Sequence, residues 1–102
     1  MIPEHRPTPP GEFIKEDILH ELGLSQAQLA TLLGVSRRTI NQLVNGKRKI
    51  TADLALRLGK FTNTSPELWM NLQTSLDLWD ALHSVEKKPI ENIQPYAVAL
   101  AT

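Results

Sequence analysis

Arg37, Arg38, Thr39, Asn41 and Gln42 fall in one short polar run, RRTINQ, interrupted only by Ile40. A guanidinium can donate to O6 and N7 of guanine as a bidentate pair, and a carboxamide can pair with adenine in the same way. Thr39 can meet a thymine methyl or a phosphate. The chemistry on offer is therefore non-covalent reading of base edges, where one good pair discriminates by roughly 1–3 kcal/mol. Asn45, Lys47 and Arg48 follow directly. They suit phosphate oxygens, with a contribution that is blind to sequence and strongly dependent on salt.

Such side chains need a rigid carrier, and the flanking pattern supplies one. Ser25 to Lys49, SQAQLATLLGVSRRTINQLVNGKRK, reads as two short amphipathic helices joined by Leu33-Gly34-Val35-Ser36. Ser25 caps the first, and Leu29, Leu32 and Leu33 supply its buried face. Ala30 is small where a neighbour must come close, and Gly34 makes the turn. Ser36 caps the second helix, whose Ile40, Leu43 and Val44 point inward until Asn45-Gly46 stops it. Arg37, Arg38 and Gln42 are then the outward set, with Asn41 nearer the nucleic-acid backbone. This is the layout of a helix-turn-helix, here spanning 25–46, whose second helix enters the major groove of duplex DNA. Gln26, beside the cap of the first helix, is placed for a phosphate together with exposed backbone amides; Ser25 and Gln28 share that side. Asn45 reads equally well as a simple C-cap.

Three further helices must hold this pair. Residues 1–10 contain four prolines and are expected to form an extended arm. Pro10-Gly11-Glu12 opens helix one, with Phe13, Ile14, Ile18, Leu19 and Leu22 at three- and four-residue spacing, and Gly23 ends it. Thr51-Ala52-Asp53 starts helix four, offering Leu54, Leu56 and Leu58 to the core. Ser65-Pro66-Glu67 combines a cap, a proline at the first helical position and an acid near the positive dipole end. A long fifth helix follows to about Ser84, with Leu68, Trp69, Leu72, Leu76 and Trp79 on one face against helices one and four. Asp77 and Asp80 read as a solvated pair. Leu78, Leu82 and Val85 form a second stripe, and an exposed apolar stripe of this kind marks an interface. A homodimer through the end of helix five is expected, extended by Tyr96 to Leu100, unless the tail folds back over the stripe. The organisation is all-α with five helices: an arm at 1–10, a DNA-binding domain at 11–86 and a tail at 87–102 with room for one short strand.

Net charge is zero over 102 residues, but it is unevenly placed. Between 36 and 60 stand seven cations against Asp53 alone, a local +6 balanced by −6 elsewhere. Phosphate attraction follows local potential, so the stripe counts and the average does not. Arg57 and Lys60, at its end, read as solvated surface. Without cysteine, disulfides and thiolate metal sites are excluded, and a reducing cytoplasm is the expected location. His20-Glu21 begins a zincin-like string, but Leu24 stands where the second histidine is required, so neither metal nor cofactor is expected. No apolar run is long enough to cross a bilayer, and the first ten residues lack the apolar segment of an export signal. No nucleophile–base pairing or phosphate-cradling glycine loop appears, so an enzyme is not expected.

Pro10-Gly11-Glu12, LGLSQAQLATLLGVSRRTINQLVNGKRKITADLALRL and TSPELWMNLQTSLDLW together resemble the phage-repressor-like (XRE) helix-turn-helix family, and within it the HigA/VapI-type antitoxins. The likeness covers about four-fifths of the domain; Pro9 stands where histidine is common before Pro-Gly-Glu. The resemblance implies a dimer that binds an operator in its own operon and neutralises a small basic toxin of the ribosome-dependent mRNA endonuclease class. The alternative is a stand-alone regulator with no toxin partner.

Overall fold

The computed structural model describes residues 4–84 and 88–96. Proline at the first helical position starts α1 (Pro10–Phe13), where its missing amide costs nothing. The same helix continues with wider, π-helical winding over Ile14–His20, in which the Glu21 amide reaches the Glu16 carbonyl. Apolar residues four apart suit both windings, so the sequence pattern reads as a plain helix. Then come α2 (Gln26–Leu33), α3 (Arg37–Val44), α4 (Ala52–Thr62), α5 (Pro66–Leu82) and α6 (Lys88–Glu91). The five expected helices are present, and α6 is an addition within the tail. No strand occurs among the described residues.

Helices α2 to α5 each begin on a hydroxyl. Ser25, Ser36, Thr51 and Ser65 accept from the amides of Gln28, Thr39, Leu54 and Leu68 at 3.0–3.3 Å. Each cap contributes about 1 kcal/mol by satisfying an amide the helix itself cannot. The core joins Ile14 and Ile18 to Leu29 and Leu33 of α2, Ile40 and Leu43 of α3, Leu54 and Leu58 of α4, and Trp69 of α5. Ala30 is buried as expected, and Ile50, between α3 and α4, is an unforeseen member.

Four leucines expected inside are outside: Leu22, Leu32, Leu56 and Leu68. Helical geometry accounts for Leu32 and Leu56. Leu29 and Leu33 are one turn apart and share a face that Leu32 does not, and Leu56 lies two positions, over half a turn, from both Leu54 and Leu58. Leu32 and Leu56 instead line an open groove with Phe61. Leu22 sits in the turn before Gly23, and Leu68 in the first turn of α5 borders a groove with Phe13, Ile18 and Trp69.

Asp77 and Asp80 are also not a merely solvated pair. Arg6 donates from Nε and Nη2 to the two carboxylate oxygens of Asp80 at 2.9 and 3.1 Å, fastening the arm to α5. That hydrogen bonding holds the Asp80 carboxyl below the usual carboxylate range. Asp77 faces Lys49 at 3.3 Å.

Helix α1 bears directly on the end of α3. A Cβ on Gly11 would collide with the Leu43 carbonyl and sit 3.1 Å from Val44 Cα, both backbone atoms that cannot swing aside. Gly11→Ala should therefore destabilise the fold by about 1–3 kcal/mol despite the better helix propensity of alanine. Thermal melting checks this: the midpoint falls by several degrees, and an unchanged midpoint would show that α1 does not seat on α3.

Candidate nucleic-acid interface

The site is built on α3, an eight-residue helix. Ile40 and Leu43 lie on its buried face, so the amino-terminal turn and the opposite side stand free. Arg37 and Arg38 occupy the first two helical positions and are exposed. Neither side chain makes a hydrogen bond or ion pair among the described residues, and the same is true of Lys47 beyond the helix.

Other polar side chains of the site are engaged with one another. Asn41 Nδ2 donates to Gln26 Oε1 at 3.2 Å, a strut from α3 back to the first turn of α2. Ser25 and Gln28 form a reciprocal capping box, the Ser25 amide donating to Gln28 Oε1 at 2.9 Å. The Ser36 and Thr39 hydroxyls are 2.9 Å apart. Arg48 Nε donates to Gln42 Oε1 at 2.9 Å. Asn45 is the C-cap residue of α3, and its Nδ2 donates to the Asn41 carbonyl at 2.9 Å.

The turn between α2 and α3 is held from outside. Gly34 takes φ +71°, a left-handed conformation that glycine adopts without steric cost. Arg57, expected to be solvated, sends Nη1 across to the carbonyls of Leu33 at 2.8 Å and Gly34 at 3.2 Å, while its Nε donates to Asp53. The last carbonyls of a helix lack internal partners, and a guanidinium satisfies them.

A second support was not foreseen from sequence. Gln73 of α5 is only 8% exposed; its Oε1 accepts the buried Ile50 amide at 2.9 Å and its Nε2 donates to Asp77 at 3.0 Å. This pins the segment carrying Lys47, Arg48 and Lys49 against α5. A signal existed: Trp69, Gln73 and Leu76 fall at i, i+4 and i+7, which places an amide on an apolar stripe. Leu78 and Leu82 lie in the second half of α5 and are exposed, and Val85 lies outside the described residues. No helix among the described residues is long and apolar enough to cross a membrane.

Two capped helices around a fixed turn, with a free cationic edge on the second, define a helix-turn-helix protein, and the family model described as Helix-turn-helix matches residues 14–69. An uncharacterized HTH-type transcriptional regulator of Haemophilus influenzae is 40% identical over 91 residues, covering 88% of this chain and 85% of that protein. Antitoxin HigA-1 of Vibrio cholerae is 33% identical over 97 residues, covering 95% of this chain and 90% of that protein. The solved structure of Pseudomonas aeruginosa antitoxin HigA with higBA promoter superposes with a TM-score of 0.82 at 41% identity, over 89% of this chain and 99% of that one. The chain belongs to the helix-turn-helix family, in the group that includes the HigA antitoxins.

Gln73→Leu keeps the volume but leaves the Ile50 amide buried without an acceptor, a cost of about 1–3 kcal/mol. The expected result is a lower melting midpoint together with weaker binding to duplex DNA. Full stability in that variant would remove Gln73 as the anchor of the Lys47–Lys49 segment.

Proposed function

We propose that this chain is a sequence-specific DNA-binding antitoxin, without catalytic activity of its own, that acts in the cytoplasm. It represses its own operon as a homodimer and neutralises a small basic mRNA-endonuclease toxin. The observation that carries the DNA reading is the exposed pair Arg37 and Arg38, without a partner among the described residues, at the amino-terminal end of a helix whose opposite face is locked in the core. Arg37, Arg38 and Gln42 read base edges, with Thr39 beside them. Lys47 and Arg48 bind phosphates on one side, while Gln26, Ser25, Gln28, Asn41 and Asn45 position backbone contacts. The antitoxin reading rests on kinship with relatives that carry that name. Recovery of a small basic protein with the chain from its native host tests the toxin partner; purification without one supports the stand-alone regulator.

A single module covers too little DNA for a specific, long-lived complex, so two copies on a palindrome are required, with half-sites roughly 34–36 Å apart. The exposed stripe at the end of α5 supports the dimer: Leu78 and Leu82 are 53% and 47% exposed. Ile90, Ile93 and Tyr96 are themselves exposed, which argues against residues 90–96 folding back as a cover; the rest of the expected tail contribution, residues 97–100, lies outside the described residues.

Replacing Arg37 or Arg38 by Ala should weaken binding to a selected operator by about 5- to 100-fold, with much smaller losses on random duplex. Equal losses on both DNAs in an anisotropy titration would refute base reading. Leu82→Asp should yield monomers by sedimentation and abolish cooperative operator binding; a persistent dimer would place the interface elsewhere.

A further inference from the structure

Gln42 and Arg48 are six residues apart, one on α3 and one on the segment after it, yet their side chains meet at 2.9 Å. Arginine carries only donors. The Gln42 atom facing Arg48 Nε must therefore be the oxygen, and this fixes the sense of the amide. An unrestrained glutamine has no such constraint: its terminal torsion is broad and roughly two-fold, so nitrogen and oxygen exchange places at little cost. Bidentate pairing with a purine requires nitrogen and oxygen each at one particular edge atom. An amide free to invert reads less sharply than one held in a single sense.

Arg48 has more to offer than this one bond. Its Nη groups make no hydrogen bond or ion pair among the described residues, and the residue is exposed. The backbone beneath is anchored through Ile50 and Gln73. One planar guanidinium can thus face Gln42 with Nε and a phosphate with its Nη groups. A lysine ammonium, a point charge on a flexible stem, supplies the charge without that fixed fork.

We propose that Arg48 is a specificity-determining residue: it sets the orientation of the Gln42 amide while binding a phosphate, joining backbone contact to base reading in one side chain. This rests on the reading of Gln42 as a base-reading residue given above, and the test separates the two.

The probe is a duplex recovered from a random pool with the wild-type chain, together with every single base-pair variant of it. Gln42→Ala first locates the base pair at which preference is lost. At that pair, Arg48→Lys should lower discrimination about tenfold while leaving the salt dependence of affinity unchanged. Lys47→Ala should do the reverse, lowering the salt slope by about one unit with base preference intact. Full discrimination in Arg48→Lys overturns the proposal while leaving Gln42 as a reader. Loss of preference at no position in Gln42→Ala overturns both. Failure of the wild-type chain to select any sequence overturns the DNA-binding function itself.

Discussion

Helix α3 is only eight residues long, and isolated helices shorter than roughly 12–15 residues are marginal in water. It exists because Ile40 and Leu43, 0% and 2% exposed, are held by the rest of the protein. The Ser36 cap at one end and α1 pressing on the Leu43 carbonyl at the other fix where it starts and how far it can shift. Anchoring one face decides the other. With Ile40 and Leu43 inside, helical periodicity directs Arg37, Arg38 and Gln42 away from the core; packing sets the direction in which they leave the helix, and Arg48 further holds the Gln42 amide.

The polar groups of the site divide into those that orient and those that wait. Asn41 with Gln26, Arg48 with Gln42, Arg57 with the α2 carbonyls, and Gln73 with Ile50 all hold one segment against another. The exposed contacts among them, Asn41 with Gln26 and Arg48 with Gln42, contribute little stability, about 0–1 kcal/mol each, so their value lies in geometry; the buried Gln73–Ile50 bond serves stability as well. Among the described residues Arg37, Arg38 and Lys47 have no such partner, and no carboxylate of those residues lies at bonding distance to dilute their charge. The acids that balance them in the neutral total sit elsewhere, and Asp77 and Asp80 are engaged by Lys49 and Arg6.

Helix starts and the recognition pair were legible because capping and turn chemistry are local. Ser25, Ser36 and Ser65 announce helices α2, α3 and α5, and Gly34 marks the turn that its φ of +71° requires. What escaped the sequence was long-range. Nothing adjacent in the chain says that Arg57 reaches Leu33 twenty-four positions earlier, or that Gln73 accepts from Ile50. The misplaced leucines have a related cause: spacing shows that a helix has an apolar side but not how much of it neighbours will cover. Leu32, Leu56 and Leu68 fall at the margins of that cover. The widened turn at Ile14–His20 was hidden because its apolar residues keep a spacing of four.

Helix α5 begins packed on α4 in the body that carries α3 and runs on to the exposed leucines at its other end. Its 17 residues span about 25 Å at 1.5 Å each. In the proposed dimer this rod is the ruler between two reading heads. Inserting one residue past Leu76 would lengthen it by only about 1.5 Å but rotate everything beyond by about 100°. The two heads would then face different sides of the double helix, so the phase of this rod, more than its length, dictates which palindromes the pair can straddle.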